Sequence, residues 1–118
     1  MLNAYLYEGL RTPFGRHGGT LARVRPDDLL ADAIRNLMKK SAFKPEQIED
    51  IIVGCANQGG EDSRCVARHA GLVAGLPIET PGTVLQRNCA SGLGRSCTRP
   101  MRSRQAKATC SWPAASRA

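Results

Sequence analysis

An α/β fold with a mostly parallel sheet is the architecture this 118-residue sequence predicts. Three observations lead there. Ile51-Ile52-Val53 is a continuous β-branched run of the kind found in strands buried on both faces. Leu29, Leu30, Ala33, Ile34, Leu37 and Met38 recur at helical spacing. The chain order is strand, helix, strand, helix, strand, and strands joined by crossovers run parallel.

Taken in order, Ala4–Tyr7 has the short alternating pattern of a first strand. Arg11-Thr12-Pro13-Phe14-Gly15, with Gly18-Gly19, forms a loop rich in turn residues. A helix comes next. Pro26 lies in its first turn, Asp27 and Asp28 meet the positive end of the macrodipole, and Lys39 and Lys40 sit at the C-terminal end where cations are favoured. One face of this helix is expected to pack on a sheet, with Asp32, Arg35 and Asn36 on the solvated side. Pro45-Glu46-Gln47 starts a short turn into the Ile51–Val53 strand, and the loop Asn57–Asp62 follows that strand. Ser63 or Asp62 can cap a second helix containing Val66, Ala67, Ala70, Leu72 and Val73, which Gly75 ahead of Pro77 ends. Pro81–Leu85 reads as a short buried strand.

The segment after that strand carries the chemistry. Gln86-Arg87-Asn88-Cys89-Ala90-Ser91-Gly92-Leu93 sets one cysteine between a strand and a run of small residues able to open a helix. Strand, sharp turn, cysteine, helix is the thiol counterpart of a nucleophile elbow. A free thiol titrates near about 8.5, and backbone N–H groups at a helix N-terminus stabilise the thiolate. Ala90, Ser91 and Gly92 leave room for a substrate. Against this, a lone cysteine in an apolar context is more often a small buried hydrophobe.

Composition bounds the class more loosely. An apolar content of 42% suffices for a core, though two Phe, two Tyr and one Trp make the chain aromatic-poor. No apolar run approaches the roughly 20 residues that span a bilayer, and Met1–Glu8 lacks the basic region and apolar stretch of a signal peptide. A cytoplasmic location and no membrane partner are the expectations. Cys55, Cys65, Cys89, Cys97 and Cys110 are odd in number and show no CxxC pairing. Neither a disulfide framework nor a metal site is indicated, and a reducing compartment suits them.

The net charge of +7 is unevenly placed. Residues 1–94 carry eleven Lys or Arg and ten Asp or Glu, whereas residues 95–118 carry six basic residues and no acid. The excess belongs to the tail, which has neither an aromatic platform nor a helical basic stripe, so no specific nucleic-acid partner is expected. The pattern also changes at Gly94. Arg95-Ser96-Cys97-Thr98-Arg99-Pro100-Met101-Arg102-Ser103-Arg104 places a proline and scattered arginines where the helix behind Cys89 should continue. An interior proline costs a helix roughly 3 kcal/mol.

Three motifs now stand in register: Leu10-Arg11-Thr12-Pro13-Phe14-Gly15, Gly54-Cys55-Ala56-Asn57-Gln58-Gly59-Gly60-Glu61-Asp62 and Asn88-Cys89-Ala90-Ser91-Gly92-Leu93. In order and spacing, residues 1–94 resemble the N-terminal third of the thiolases. The fold this implies is thiolase-like, a partial N-terminal half of a layered αβα arrangement. The activity it implies is CoA-dependent thiolytic cleavage of 3-ketoacyl-CoA, or the reverse Claisen condensation of acetyl-CoA, as an acetyl-CoA acyltransferase. Cys89 matches the family's acyl-accepting nucleophile, and its backbone N–H belongs to one oxyanion hole in that family.

Coenzyme A is then a substrate, no cofactor is held permanently, acyl-CoA is the small-molecule partner and the intact family is homo-oligomeric. No residue is assigned to cofactor binding. The loop Cys55–Asp62 with Val66-Ala67-Arg68 resembles the 3-oxoadipyl-CoA thiolases of aromatic catabolism. The family's Gly-His-Pro and Asn-His elements, its Cys-Gly-Gly cysteine and the loop domain that holds coenzyme A all lie downstream. The fragment alone is therefore expected to be inactive. Two alternatives are a noncatalytic binding fragment that associates with intact thiolase, and a relative of the ketoacyl carrier-protein synthases, which place their cysteine later and lack the Arg-Thr-Pro start.

Other reactive side chains have plainer readings. Thiolases take their base from a histidine much further along, so His69 is an ordinary helix-face residue, and His17 faces solvent in a glycine-rich loop. Cys55 ends a buried strand and Cys65 enters a helix, both normal places for packing cysteines. Gly18-Gly19 and Gly59-Gly60 lack P-loop or dinucleotide spacing and read as turns.

A reading-frame shift accounts for the break. Let each codon take the third base of one residue's codon and the first two of the next. Allowed synonymous codons for Gln105 through Ala118 then encode Gly-Glu-Gly-Asp-Leu-Leu-Met-Ala-Gly-Gly-Val-Glu-Ser-Met, the last completed by bases beyond Ala118. That peptide is what the resemblance implies next. The expectation is a partial thiolase domain over 1–94, followed over 95–118 by an out-of-frame, disordered or non-native tail ending at an accidental stop. A genuine basic tail is the alternative.

Overall fold

The computed structural model describes residues 7–60 and 64–92, together with the backbone of Thr109–Ser111. Within these lie helix α1 (Pro26–Lys40), a 3-10 turn (Pro45–Gln47), strand β1 (Ile51–Gly54), helix α2 (Val66–Ala74), strand β2 (Gly82–Leu85) and strand β3 (Thr109–Ser111). The sheet has the order β2-β1-β3, and both pairings are parallel. An α/β architecture with a parallel sheet is thus what the chain builds. The strand expected at Ala4–Tyr7 falls almost wholly outside the described residues, and Tyr7 itself is not in a strand.

Helix α1 begins as its residues dictate. Pro26 takes the first helical position, where its missing N–H costs nothing. Asp27 turns back to accept both branches of the Arg25 guanidinium, Nε at 3.0 Å and Nη2 at 2.8 Å, and also accepts the Asp28 backbone N–H at 3.1 Å. The Arg25 hydrogen bonds hold the Asp27 carboxyl below the ordinary carboxylate range, against the opposing effect of its burial. Ser41 closes the other end, its N–H donating to the Leu37 carbonyl at 2.9 Å.

Two expectations about α1 are corrected. Its main neighbour is α2 rather than the sheet. Leu30, Ala31 and Ile34 join Ala67 and Ala70 of α2 in one core that also holds Ile51 and Val53 of β1. Small residues on α2 permit this close helix approach. Arg35, placed by periodicity on the solvated side, is half-buried: it pairs with Asp32 and donates from Nη2 to the Val73 carbonyl at 2.6 Å, tying α1 to the last turn of α2.

The candidate caps Asp62 and Ser63 lie outside the described residues, and Cys65 occupies the N-cap position of α2 without a side-chain cap bond. The other end is as expected. Gly75 takes φ 88°, its N–H donates to the Leu72 carbonyl at 3.0 Å, and the Leu76 N–H reaches the Gly71 carbonyl at 3.0 Å. This crossed pair of bonds is a Schellman motif, and the left-handed conformation it needs suits glycine. Leu76 beyond it is buried.

From α2 the chain returns to the sheet through Arg68 and Thr80. The Arg68 guanidinium donates to the carbonyls of Thr80 at 2.5 Å and Ile78 at 2.7 Å, while buried Thr80 Oγ1 donates to the Ile48 carbonyl at 3.1 Å. These bonds satisfy the backbone of the connection and set β2 beside β1, with Ile51 opposite Gly82 and Gly54 opposite Leu85. Strand β1 is buried along its whole length. On its other side Ile52 pairs with Thr109 and Gly54 with Ser111, so β3 falls within the stretch expected to be out of frame.

Candidate active site

The carboxyl ends of β1 and β2 place Cys89. Strand register carries on past Leu85, because the Cys55 N–H donates to the Leu85 carbonyl at 3.0 Å and Gln86 Nε2 donates to the Ala56 carbonyl at 3.0 Å. The chain then folds into a tight turn. Asn88 adopts a left-handed conformation with φ 49°, the Ala90 N–H bonds the Arg87 carbonyl at 3.0 Å, and the Ser91 N–H bonds the Asn88 carbonyl at 3.1 Å. Asparagine tolerates this region better than most residues, since its short polar side chain carries a small steric penalty there.

One hydroxyl fastens the turn. Ser91, 3% exposed, accepts the Arg87 N–H at 2.8 Å and donates to the Asn88 carbonyl at 2.7 Å. A helix starts at Ser91 and Gly92, and Leu93 of the same motif lies outside the described residues. Cys89 stands at the top of this turn with its thiol exposed. Beneath it, Gly54 lets the sheet approach: a Cβ there would fall on the Ser91 carbonyl and 2.8 Å from the Gly92 nitrogen.

Cys55 and Cys65 are engaged elsewhere. Buried Cys55 directs Sγ at the Asn57 carbonyl and half-buried Cys65 directs Sγ at the Gly82 carbonyl, each at 3.3 Å. The side chains of Cys97 and Cys110 lie outside the described residues. His17 is exposed in its loop, and His69 is half-buried on α2. Arg11, from the first motif, stacks over the Phe14 ring at 5.4 Å and lines a shallow cavity of about 400 Å³ with Leu10, Thr12 and the outer face of α1. No residue of the Cys89 turn lines that cavity. Among the described residues no group of three or more His, Cys, Asp or Glu could hold a metal, and no helix is long and apolar enough to cross a membrane.

The chain that folds into this strand–turn–helix is similar to known proteins. A family model described as the thiolase N-terminal domain covers residues 4–103. The chain belongs to the thiolase family.

Among thiolase relatives, the 3-oxoadipyl-CoA/3-oxo-5,6-dehydrosuberyl-CoA thiolase of Escherichia coli K12 is 51% identical over 94 residues, 79% of this chain and 23% of that protein. The beta-ketoadipyl-CoA thiolase of Acinetobacter baylyi is 49% identical over 94 residues, with the same coverage. The 3-ketoacyl-CoA thiolase of Bacillus subtilis is 40% identical over 94 residues, 79% of this chain and 24% of that protein. The crystal structure of the Bacillus anthracis acetyl-CoA acetyltransferase superposes with a TM-score of 0.65 at 30% identity, covering 71% of this chain and 21% of that one. This thiolase chain therefore spans about a quarter of the length of these relatives.

Sequence reasoning placed Cys89 between a strand and a helix start, where the structure also has it, but missed Ser91 and Gly54 as the residues that hold the turn. The signal for Gly54 was weak, a glycine closing a buried strand run. Nothing in the order of residues 86–93 told which of two small residues, Ala90 or Ser91, would turn inward.

Proposed function

We propose that Cys89 is the acyl-accepting nucleophile of thiolase-type transfer to coenzyme A. The observation that carries this reading is the exposed thiol at the tip of a turn that Ser91 and Gly54 hold rigidly against the sheet. A fixed nucleophile saves the ordering that a flexible one must undergo in the transition state. In the proposed step the Cys89 thiolate adds to the C3 carbonyl of a 3-ketoacyl-CoA, forming a C–S bond. The C2–C3 bond then breaks, acetyl-CoA leaves after its C2 takes a proton, and the shortened acyl group remains as a thioester on Cys89. The sulfur of a second coenzyme A attacks that thioester and frees the thiolate.

Coenzyme A is a substrate on this reading, and nothing is held permanently. Relatives named for 3-oxoadipyl-CoA and beta-ketoadipyl-CoA favour a short dicarboxylic acyl substrate from aromatic breakdown. By itself the 118-residue chain is proposed to give no turnover, because no described residue is assigned as proton carrier or coenzyme A contact. A cytoplasmic site of action and a homo-oligomeric intact enzyme belong to the same proposal.

The test is an assay of coenzyme A-dependent cleavage of 3-ketoacyl-CoA by the product of the frame-restored gene. Thiolysis is expected, with an acyl adduct on Cys89 by mass spectrometry. Cys89→Ala should abolish the adduct and Cys55→Ala should retain it. An acyl group found on Cys55, or a restored enzyme inert toward every 3-ketoacyl-CoA tried, overturns the reading.

A further inference from the structure

We propose that the outer edge of β1 is a slot for an apolar strand written in the overlapping reading frame of the same DNA, and that Thr109–Ser111 occupy it as that strand's out-of-frame translation. The slot belongs to β1, which is buried end to end and has β2 on its other edge. A strand between covering helices in a parallel sheet is normally a run of apolar residues. Thr109-Cys110-Ser111 is the reverse, yet it pairs in parallel register with Ile52, Val53 and Gly54.

The overlapping frame supplies what the slot requires, and at the decisive positions codon choice has no say. Cysteine and tryptophan codons both begin with TG. The triplets straddling Thr109/Cys110 and Ser111/Trp112 must therefore end in TG and can only encode Leu, Met or Val. The triplet straddling Trp112/Pro113 can only be GCC, alanine. Between them, the Cys110/Ser111 triplet encodes Phe or Leu, with Gln or a stop as the other readings.

The approach to the strand is constrained in the same way. Triplets straddling Gln105/Ala106 and Lys107/Ala108 encode only Gly or Ser, the one between them encodes Lys, Gln, Glu or a stop, and Ala108/Thr109 gives Asn, Asp, His or Tyr. Gly or Ser at two of these four positions, and Asn or Asp among the readings of the last, are residues that turns favour. Upstream, Ser96/Cys97 must give Leu, Met or Val, and Met101/Arg102 must give Ala or Glu, both strong helix formers. Helix, turn and strand thus succeed one another between Leu85 and the slot, within the dozen or more residues that a parallel crossover needs. The Escherichia coli K12 thiolase aligns over 94 residues, the length of the stretch before the break, while the family model extends to residue 103.

The experiment compares the full chain as it is encoded with a version carrying one inserted base at the Gly94 codon, which shifts translation into the overlapping frame over the same DNA. Hydrogen exchange at the Ile52 and Gly54 amides is the readout, because the Ile51 and Cys55 N–H groups bond on the β2 side and alternation turns those of Ile52 and Gly54 to the outer edge. At least ten-fold slower exchange is expected in the shifted chain; equal or faster exchange overturns the proposal. If the shifted chain is insoluble, the DNA decides. A stop triplet in the overlapping frame between Gly94 and Trp112, or Gln at the Cys110/Ser111 triplet, overturns it, and an open frame with Phe or Leu there supports it. Neither readout involves catalysis: an open frame whose product forms no acyl adduct on Cys89 fails the proposed role of Cys89 alone, and a stop in the overlapping frame fails this inference alone.

Discussion

At the scale of single residues, the turn under Cys89 depends on partners that hydrophobic patterning does not reveal. Ser91→Ala removes the acceptor of the Arg87 N–H and the donor to the Asn88 carbonyl. Arg87 is exposed, so water can replace the lost acceptor and the cost is that of an ordinary hydrogen bond, about 0.5–1.5 kcal/mol. The urea midpoint should fall accordingly, whereas Ala90→Ser, at an exposed neighbour, should leave it within error. Asp27 predicts a pH dependence. Its folded-state carboxyl titrates below the unfolded value, so its stabilisation is fully present above the unfolded value near about 3.9 and is lost as pH falls through the folded one. Asp27→Asn should cost on the order of 1 kcal/mol at neutral pH and flatten the acid limb of a stability–pH curve; an unchanged acid limb would count against this account. Cys89 itself was legible because a strand and a run of small residues flank it. Ser91 was not, because hydroxyls that bond backbone look the same in sequence as hydroxyls that bond water.

At the scale of elements, α1, the 3-10 turn, β1, α2 and β2 were legible with nearly their observed bounds. Each is punctuated locally by Pro26, Pro45, Gly75 or Pro81, and each carries its own periodicity. What periodicity could not give is the partner of a face. The apolar stripe of α1 says that something covers it, but only the tertiary structure shows that Ala67 and Ala70 bring α2 close enough to be that cover and draw Arg35 onto Val73. The Schellman end of α2 carries a further prediction. Gly75→Ala places a Cβ on a residue at φ 88°, with open space around it. The cost should therefore be conformational alone, about 1 kcal/mol, read as a lower thermal midpoint with unchanged helical circular dichroism at low temperature. A much larger loss would mean that packing, not backbone conformation, makes glycine necessary there.

At the scale of the whole molecule, Leu30 and Val53 are the largest side chains below 2% exposure among the described residues, with Ile51, Ile52 and Ile34 close behind. Phe14 and Ile78 are each 72% exposed, Tyr7 is 64% exposed, and β2 has a sheet neighbour on one side only among the described residues. Exposed apolar groups beside a strand edge favour self-association. The purified chain should show light scattering that rises with concentration and a broad unfolding transition; a soluble monomer that unfolds sharply would contradict this. The α/β class was legible at this scale because crossovers force parallel strands. The order β2-β1-β3 was not, since its third strand carries no strand pattern in the residues as translated. The pinning of the turn on Gly54 has one more consequence. Leu85 is paired with Gly54 and Ser91 packs on it, so residues 85–91 form a closed loop that begins and ends at one point of the sheet. A thiol carried in such a loop is a local strain gauge: its alkylation rate by a bulky reagent should stay constant in mild denaturant until β1 and β2 separate, and then rise in step with that separation.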